Sequence, residues 1–469
     1  MKIDICVKNL GKIKQATFNI RPITVLTGQN GTGKSFFTKT FYSVLNVVNK
    51  SAYHIWVSNS IKQVNMLLDV FVTKISYPAQ RDFQLKYDIL NHLSTLQKNL
   101  DMASEWDNFN DYLDYAETRS IDVDVILHII KSYQGEVESK PKKLMSARAP
   151  LNSLTKELTR LKGLLSDSRK GYANSLADSL TSEIKDNFQV ANLGDLVHFS
   201  EEFAEIEVDE LMRIKIMSNG GFNFSLGSDF INEVSSLSRV VFFESPAYWK
   251  VRDALNAAKE HHSLPTYLRK KSNNVLTGVP KYFYDLDSAL KTASKEDTTE
   301  GIDSLCATLQ KELGGEFIFN DNNLVFKSVS GQEISKNLIS FGMTNIGMIH
   351  ALLKNNVITS GSFVFIDEPE TNLHPQWQVM LMELLVKLAD ANVNIVIATH
   401  SIDMLKALEV SLCKNNKEKD KEFMSIHYCD IDGELYDFDS DIPVERLIEA
   451  RGELNSSYTK LFFEGQKVC

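Results

Sequence analysis

The segment GQNGTGKS, residues 28–35, places glycine, lysine and serine at the spacing G-x-x-x-x-G-K-S. Backbone N–H groups can approach a phosphate closely only where no side chain blocks them, and glycines in such a loop permit this. The lysine can reach the β- and γ-phosphates of a nucleotide, and the serine hydroxyl can bind Mg²⁺. A flexible turn between a strand and a helix is the simpler interpretation, so the flanking residues must decide.

The flanking residues favour the phosphate loop. The run ITVLT before it is apolar and β-branched, which predicts a buried strand, and the run SFFTKTFYSVLNVV after it has helical spacing. A helix that begins near Lys34 would add its positive N-terminal end to the site. We therefore predict that the loop binds ATP, with Ser35 on Mg²⁺. The predicted ATP-binding residues of the loop are Gln29, Asn30, Gly31, Thr32, Gly33, Lys34 and Ser35.

Two carboxylates follow a second apolar run, far along the chain. Phe363 to Ile366 have the composition of a strand buried on both faces, and Asp367 and Glu368 come directly after them. An open α/β sheet presents its ligands at the carboxyl ends of its strands. Asp367 is therefore predicted to hold Mg²⁺, and Glu368 to be the catalytic base that deprotonates the attacking water. Taken alone, Asp-Glu-Pro is also ordinary turn chemistry.

A third apolar run, NIVIA, is followed by THS, which contains His400. A lone histidine is more often an ordinary core residue than a reactive one. If this strand lies beside the Asp367 strand, however, His400 can contact the γ-phosphate as a sensor. The segment between the two strands has the spacing of a crossover helix that covers the sheet. The residues with this spacing are Trp377, Leu381, Leu384, Leu385 and Leu388.

Together these motifs resemble those of the ABC-type ATPase heads of the SMC, RecF and OLD group. The resemblance is carried by GQNGTGKS, FVFIDEPETNLHP and IATHS, and by the opening IDICVKNLGKIKQATFNIRPITVLTGQNG. It covers about the first 50 residues and much of 315–440. It implies an α/β fold, an ABC-type P-loop ATPase head with a mixed or parallel sheet, which hydrolyses ATP with Mg²⁺.

Members of this group also have a signature segment that contacts the ATP held by a partner subunit. In NLISFGMTNIGMIHALL, Ser340 and Gly342 match its S-x-G core, but Met343 stands where an acidic or charged residue is usual. The resemblance implies a homo-oligomer built of head-to-tail dimers, in which two ATP molecules are sandwiched at a twofold interface. The simpler interpretation of the segment is a loop followed by an amphipathic helix.

A helical insert is predicted to interrupt the head. We expect an N-terminal lobe with the phosphate loop at 1–55, the insert at 56–235, and a C-terminal lobe at 236–469 that ends in a hairpin and a helix. Leucines in the insert keep a 3-4 spacing for barely two heptads, which suits a short coiled coil or a bundle rather than a long arm. These leucines are Leu151, Leu154, Leu158, Leu161 and Leu165.

OLD nucleases continue past the ATPase into a Toprim nuclease domain. Here we expect Asp430 and Asp432 to be turn residues, and we expect Glu464-Gly465 not to be part of a complete nuclease site. This plan resembles the ATPase subunits of two-gene phage-defence systems, first the PARIS type (AriA) and second the Septu type (PtuA). The resemblance implies a separate nuclease effector subunit, of Toprim type, that is controlled in response to a phage protein.

The charge distribution bears on possible partners. The net charge of −10 makes the surface as a whole repel nucleic acid. Between residues 140 and 170, however, nine basic residues oppose only two acidic ones. The run is either a solvated helix face or a patch that binds DNA or an acidic, DNA-mimicking phage trigger protein. The patch residues are Lys140, Lys142, Lys143, Arg148, Arg160 and Lys162.

Other features limit the class of protein. The chain has no run of 18 apolar residues, so we expect no membrane span. Its five cysteines are scattered and never form CxxC, which suits reduced thiols in the cytoplasm. The acidic run at 200–211 is expected to be a solvated amphipathic element. The alternative function is that of a RecF- or SMC-like DNA-repair or recombination ATPase that binds duplex DNA directly.

Overall fold

The computed structural model describes residues 2–48, 52–104, 106, 109–137, 145–227, 239–244, 246–262, 278–291, 300–320, 323–456 and 459. Lys140, Lys142, Lys143 and the Glu464-Gly465 pair lie outside these ranges. The chain divides into two compact units. The described parts of 1–49, 180–227 and 236–469 form the first, and those of 50–179 belong to the second.

The strands and helices alternate along most of the first unit, whereas the second is helical. The strands are β1 (Ile3–Leu10), β2 (Ile13–Ile20), β3 (Ile23–Thr27), β4 (Phe203–Val208), β5 (Met212–Met217), β6 (Phe222–Leu226), β7 (Val240–Phe243), β8 (Gly315–Asn320), β9 (Asn323–Ser328), β10 (Glu333–Ser335), β11 (Phe363–Asp367), β12 (Asn394–Ala398) and β13 (Met424–Tyr428). The helices are α1 (Lys34–Val48), α2 (Ala52–Thr73), α3 (Gln80–Ala103), α4 (Phe109–Thr118), α5 (Ser120–Val137), α6 (Arg148–Ser166), α7 (Ser168–Phe188), α8 (Ala247–Lys250), α9 (Arg252–His262), α10 (Lys281–Lys291), α11 (Glu300–Leu313), α12 (Phe341–Lys354), α13 (Pro375–Asp390), α14 (Ile402–Lys414) and α15 (Pro443–Leu454).

A five-stranded parallel sheet in the order β13-β3-β12-β11-β7 positions the candidate site. β3, β11 and β12 are buried along their whole length, which explains their uninterrupted apolar runs. The register aligns Ala398 with Asp367 on one side and with Leu26 on the other. The segments that follow β3, β11 and β12 therefore leave the sheet at the same edge. The prediction that the strand before His400 lies beside the Asp367 strand is confirmed.

A second, antiparallel sheet has the order β2-β1-β4-β5-β6. Its strands β4 to β6 lie inside the range 56–235, where the sequence predicts a helical insert. Every second residue of β4 is buried, and the alternating positions are half-buried. This period of two is that of a strand with one covered face, and it overrides the acidic composition of the run. The acidic run is therefore an amphipathic strand. Arg213 on β5 pairs with both Glu205 and Glu207 and balances part of its charge.

A third sheet, β10-β9-β8, packs near the helix that carries the predicted signature residues. α12 packs against α11 and β8. Gly347 makes the close contact possible, because a Cβ at this position would lie 2.4 Å from the ring of Phe317. The position of α12 is thus set by a glycine that no larger residue can replace without a shift.

The remaining strand of the parallel sheet, β13, lies where we expected a closing hairpin. β13 pairs with β3 in parallel. The chain after β13 turns back, but it forms only an isolated antiparallel bridge, between Cys429 and Leu435. In the turn between them, the carboxylates of Asp430 and Asp432 accept hydrogen bonds from backbone N–H groups of Ile431 and Glu434. Both aspartates are therefore turn residues.

The helices of the second unit form a bundle with an ordinary core. α6 packs against α2, α4 and α5. The leucines with the 3-4 spacing point into this core and are all buried: Leu151, Leu154, Leu158, Leu161 and Leu165. Within the described ranges, no helix combines the length and the apolar character that crossing a membrane requires.

Candidate active site

The loop between β3 and α1 has the backbone of an anion cradle. Gly28, Gly31 and Gly33 have φ values of 130°, 77° and 99°, which side-chain-bearing residues rarely adopt. A Cβ on Gly28 would lie 2.2 Å from the carbonyl oxygen of Cys429, so only glycine fits there. At Gly31, by contrast, no atom of the described residues lies within 4 Å of that position. The cradle is closed beneath Gly28 and open to a ligand at Gly31.

Lys34, the first residue of α1, holds its ammonium group beneath this loop. Nζ donates to the carbonyl oxygens of Gly28 at 2.9 Å and of Gln29 at 2.6 Å. Burial lowers the pKa of Lys34, and nearby negative groups, including Asp367 and Glu368, oppose this shift only in part. An ammonium group that is buried on carbonyl oxygens is suited to an anionic ligand, because a phosphate would supply the missing counter-charge.

The two predicted metal ligands, Ser35 and Asp367, lie together. The Ser35 hydroxyl lies close enough to the Asp367 carboxylate to affect its pKa, and Asp367 is buried at the end of β11. Burial raises the pKa of Asp367 to about 6, although the nearby Ser35 hydroxyl opposes the shift. A hydroxyl and a carboxylate are the oxygen donors that Mg²⁺ takes when phosphates and waters complete its shell. Among the described residues, no group of three or more histidine, cysteine or acidic side chains is placed so that it could hold a metal ion.

Glu368, the predicted base, follows Asp367 in a left-handed backbone conformation with φ of 49°. Its N–H donates to the carbonyl oxygen of Ala398, the last residue of β12, at 2.8 Å. Its side chain is 53% exposed, in contrast to the buried Asp367. The turn after β11 therefore presents an accessible carboxylate beside the predicted metal ligands.

His400 lies next to Glu368 and is held by another glutamate, Glu370. His400 Nδ1 lies 3.9 Å from Glu368 Oε1 and 3.2 Å from Glu370 Oε1. Glu370 also accepts hydrogen bonds from the His400 N–H at 2.9 Å and from the Thr399 hydroxyl at 2.8 Å. The sequence motif alone assigns no role to Glu370. Its closeness in sequence to Asp367 is the one signal that could have drawn attention to it.

Ser340 and Gly342 lie at the start of α12. Ser340 caps the helix, because its Oγ accepts a hydrogen bond from the Met343 N–H at 3.2 Å. A Cβ on Gly342 would lie 2.7 Å from the carbonyl oxygen of Asn372 and 3.6 Å from the ring of Trp377. Among the described residues, no hydrogen bond or ion pair joins Ser340 or Gly342 to residues 28–35.

The crossover helix α13 differs in one respect from its predicted pattern. Leu381, Leu384, Leu385 and Leu388 are buried as expected. Trp377 is half-buried instead, because it lies in the first turn of the helix, beside the start of α12 rather than under the sheet.

Of the predicted basic patch, the structure describes Arg148, Arg160 and Lys162. Arg148 is exposed at the start of α6. Arg160 pairs with Glu157 at 3.3 Å, and Lys162 pairs with Asp124 at 2.8 Å. These ion pairs reduce the net positive charge of the described part of the patch, and this weakens the interpretation of the run as a DNA-binding surface.

A glycine cradle, a buried lysine, a hydroxyl beside a carboxylate and an exposed glutamate are groups that nucleotide hydrolysis requires. The chain matches the AAA ATPase domain family over residues 1–405, and it belongs to that family. The match includes the phosphate loop, β11 and His400. The chain is thus an ATPase with an α/β P-loop fold, as the sequence predicts, and family membership implies nucleotide binding.

One curated relative is the Old nuclease of Escherichia phage P2. It is 31% identical to this chain over 114 residues, which cover 21% of this chain and 20% of that protein. The chain therefore spans about a fifth of the length of the curated relative that it matches.

Solved structures of similar proteins include SMC heads and a transporter cassette. The SMC head domain from Thermotoga maritima is 8% identical, with 91% of this chain and 94% of that chain covered and a TM-score of 0.35. The Smc head domain from Pyrococcus furiosus is 10% identical, with 87% and 92% covered and a TM-score of 0.36. A dimeric bacterial ABC transporter cassette is 15% identical, with 48% and 72% covered and a TM-score of 0.22. These superpositions are loose, and the fold assignment rests on the sheet order and the family match.

Proposed function

We propose that this ATPase is a switch in which two chains close head to tail on two ATP molecules and reopen after hydrolysis. One observation carries the proposal. A single chain gathers Lys34, Ser35, Asp367, Glu368 and His400 at one edge of its sheet. Among the described residues, however, no hydrogen bond or ion pair joins Ser340 or Gly342 to these five. A second copy could supply those two residues across a twofold interface.

The residues of the site suggest how hydrolysis proceeds. The backbone N–H groups of the loop and Lys34 bind the β- and γ-phosphates. Ser35 and Asp367 would hold Mg²⁺, which would supply positive charge to neutralise the phosphates. Glu368 accepts a proton from the attacking water as the oxygen of that water bonds to the γ-phosphorus. The bond from that phosphorus to the bridging oxygen breaks, and ADP leaves with the oxygen. His400 contacts the γ-phosphate and so distinguishes ATP from ADP.

We further propose that the switch controls a separate nuclease effector, of Toprim type, in a phage-defence system of the PARIS or Septu kind. The partial likeness to the Old nuclease supports this role. The trigger would be an acidic, DNA-mimicking phage protein that docks on the helical unit, for which Arg148 remains an exposed basic contact. Cells that carry this gene and a neighbouring nuclease gene should then resist phages, and Lys34→Ala should remove that resistance.

The closing step can be tested with two variants of the site. Lys34→Ala should abolish ATP binding, because the cradle loses the cation that faces the phosphates. Glu368→Gln should still bind ATP but should not turn it over, and it should therefore accumulate as the closed dimer. Sedimentation of both variants with and without Mg²⁺-ATP measures this. A Glu368→Gln protein that stays monomeric at saturating ATP would contradict the proposal.

The direct DNA-binding alternative predicts a different result. A RecF-like protein should bind plain duplex DNA, with an affinity that falls steeply between about 50 and 200 mM salt. Neutralising Arg148, Arg160 and Lys162 should then weaken the binding. Under the switch proposal, duplex DNA should bind weakly and the three substitutions should leave the ATPase rate unchanged.

A further inference from the structure

Glu370 is the residue at this site whose geometry is most fully defined and whose role is still open. Oε1 accepts the backbone N–H of His400 at 2.9 Å and lies 3.2 Å from the Nδ1 of the same residue. Oε2 accepts the hydroxyl of Thr399 at 2.8 Å. Both carboxylate oxygens are thus directed at the short segment that follows β12.

Glu370 and Glu368 differ in burial, and this difference indicates that they have different functions. The side chain of Glu370 is 9% exposed, whereas those of Glu368 and His400 are 53% and 42% exposed. A base that takes a proton from water needs access to that water, which Glu368 has. A carboxylate whose two oxygens already face three donors is better suited to holding those donors in place.

The contact with Nδ1 determines which part of the imidazole can meet a ligand. A carboxylate beside Nδ1 favours a proton on that nitrogen and fixes the plane of the ring. Nε2 is then the ring nitrogen left for a phosphate oxygen. The hydrogen bond from the His400 N–H to Glu370 also fixes the backbone from which the imidazole extends. The Glu370 carboxylate therefore sets both the position and the orientation of the ring.

We propose that Glu370 is a positioning residue, which fixes the orientation and the tautomer of His400 for contact with the γ-phosphate. The assignment rests on the proposed use of His400 as a γ-phosphate contact. It does not depend on dimer closure or on control of a nuclease. Glu370 acts through His400 and touches neither the nucleotide nor the attacking water.

The test is a double-mutant cycle with Glu370→Gln and His400→Ala. The amide keeps the size of the side chain but can accept at only one end, so at least one donor loses its partner. We expect kcat of Glu370→Gln to fall about 10–100-fold, the range found for residues that orient metal-ligating histidines, with KM changed less than about 3-fold. In the His400→Ala background the same change should cost less than about 3-fold in kcat, because nothing is left to orient.

A spectroscopic readout separates positioning from a merely structural role. In protein labelled with ¹⁵N-histidine, the His400 signal is identified by its loss in His400→Gln. In the parent, this signal should show a proton on Nδ1, and in Glu370→Gln it should show the pattern of exchanging tautomers. The control is Glu383→Gln on α13, where the carboxylate pairs with Lys414 at 3.1 Å and is 42% exposed. This variant should leave kcat and the His400 signal unchanged.

The outcomes are distinguishable. Additive losses in the cycle, or an unchanged His400 signal in Glu370→Gln, would overturn the assignment of Glu370 even if the parent hydrolyses ATP normally. A parent that does not respond to His400→Ala would instead overturn the proposed role of His400. If Glu370→Gln does not fold, the same measurements are made on Thr399→Val, which removes the donor to Oε2 and the acceptor of the Ser401 N–H. That variant should lose less kcat than His400→Ala and nothing further in the His400→Ala background.

Discussion

At the scale of single residues, the site keeps one amino acid in a conformation that costs free energy. Glu368 has a φ of 49°, and a residue with a Cβ in this region is strained by about 1 kcal/mol or more. The backbone bond from its N–H to the carbonyl oxygen of Ala398 holds it there. In this conformation the carboxylate of Glu368 is exposed, whereas Asp367, the last residue of β11, is buried.

Glycine at position 368 should therefore stabilise the protein while it removes the activity. We expect Glu368→Gly to raise the free energy of unfolding by about 0.5–1 kcal/mol in the absence of nucleotide, because glycine adopts positive φ without strain. Glu383→Gly, in the middle of α13, is the matched control and should lower it by about 1 kcal/mol. Urea denaturation followed by circular dichroism measures both. A destabilised Glu368→Gly would show that the backbone there is not strained.

The role of Glu370 could not be predicted from sequence for a reason that also lies at this scale. Its partners, Thr399 and His400, lie on a different strand end, and they meet Glu370 only because β12 pairs with β11 in register. The motif around Asp367 could be predicted because two carboxylates directly after an apolar run form a local pattern in the sequence. A contact that depends on strand pairing has no such local signal.

At the scale of elements, the buried parallel strands were the easiest to predict, and the antiparallel ones the hardest. β3, β11 and β12 are apolar at every position because both of their faces are covered. β4 has acidic residues at its half-buried positions, so its charge hides the alternation. β4 is the central strand of its sheet, but its second face is only half-buried and tolerates such charge. Composition alone therefore assigns this strand to the helical insert.

β13 contains a residue that should make the stability of the sheet depend on pH. His427 is buried, and its Nε2 accepts the N–H of Asn19 at 3.2 Å. Burial lowers the pKa of His427 to about 4, against 6.5 in the unfolded chain. The neutral ring therefore contributes stability that is present above pH 6.5 and is lost as the pH falls toward 4.

Replacement of His427 should remove this acid sensitivity. Between pH 7.5 and 4.5, the free energy of unfolding of the parent should fall by about 2 kcal/mol more than that of His427→Gln. Glutamine keeps an acceptor for Asn19 but does not titrate. His92→Gln, at an exposed position of α3, serves as the control and should follow the parent. Parallel pH curves for the parent and His427→Gln would contradict the prediction.

At the scale of the whole molecule, the question is whether one chain or two complete the site. If Ser340 acts in the site of a partner, a mixture of Lys34→Ala and Ser340→Arg chains contains mixed dimers with one intact site each. Random assortment then restores about a quarter of the parent ATPase rate from two inactive proteins, provided that the sites act independently. Coupled-enzyme assays of each variant alone and of the equimolar mixture measure this. A mixture with no more activity than its components would place Ser340 outside the site.

The contact at Gly342 has a mechanical consequence. Because a carbonyl oxygen occupies the space that a side chain would take, the first turn of α12 and the backbone at Asn372 touch without any compliant group between them. A displacement of one therefore displaces the other. Glu368 and Glu370, which lie beside the imidazole of His400, come a few residues before Asn372 in the chain. A force on α12 should therefore shift these carboxylates at the proposed site of hydrolysis.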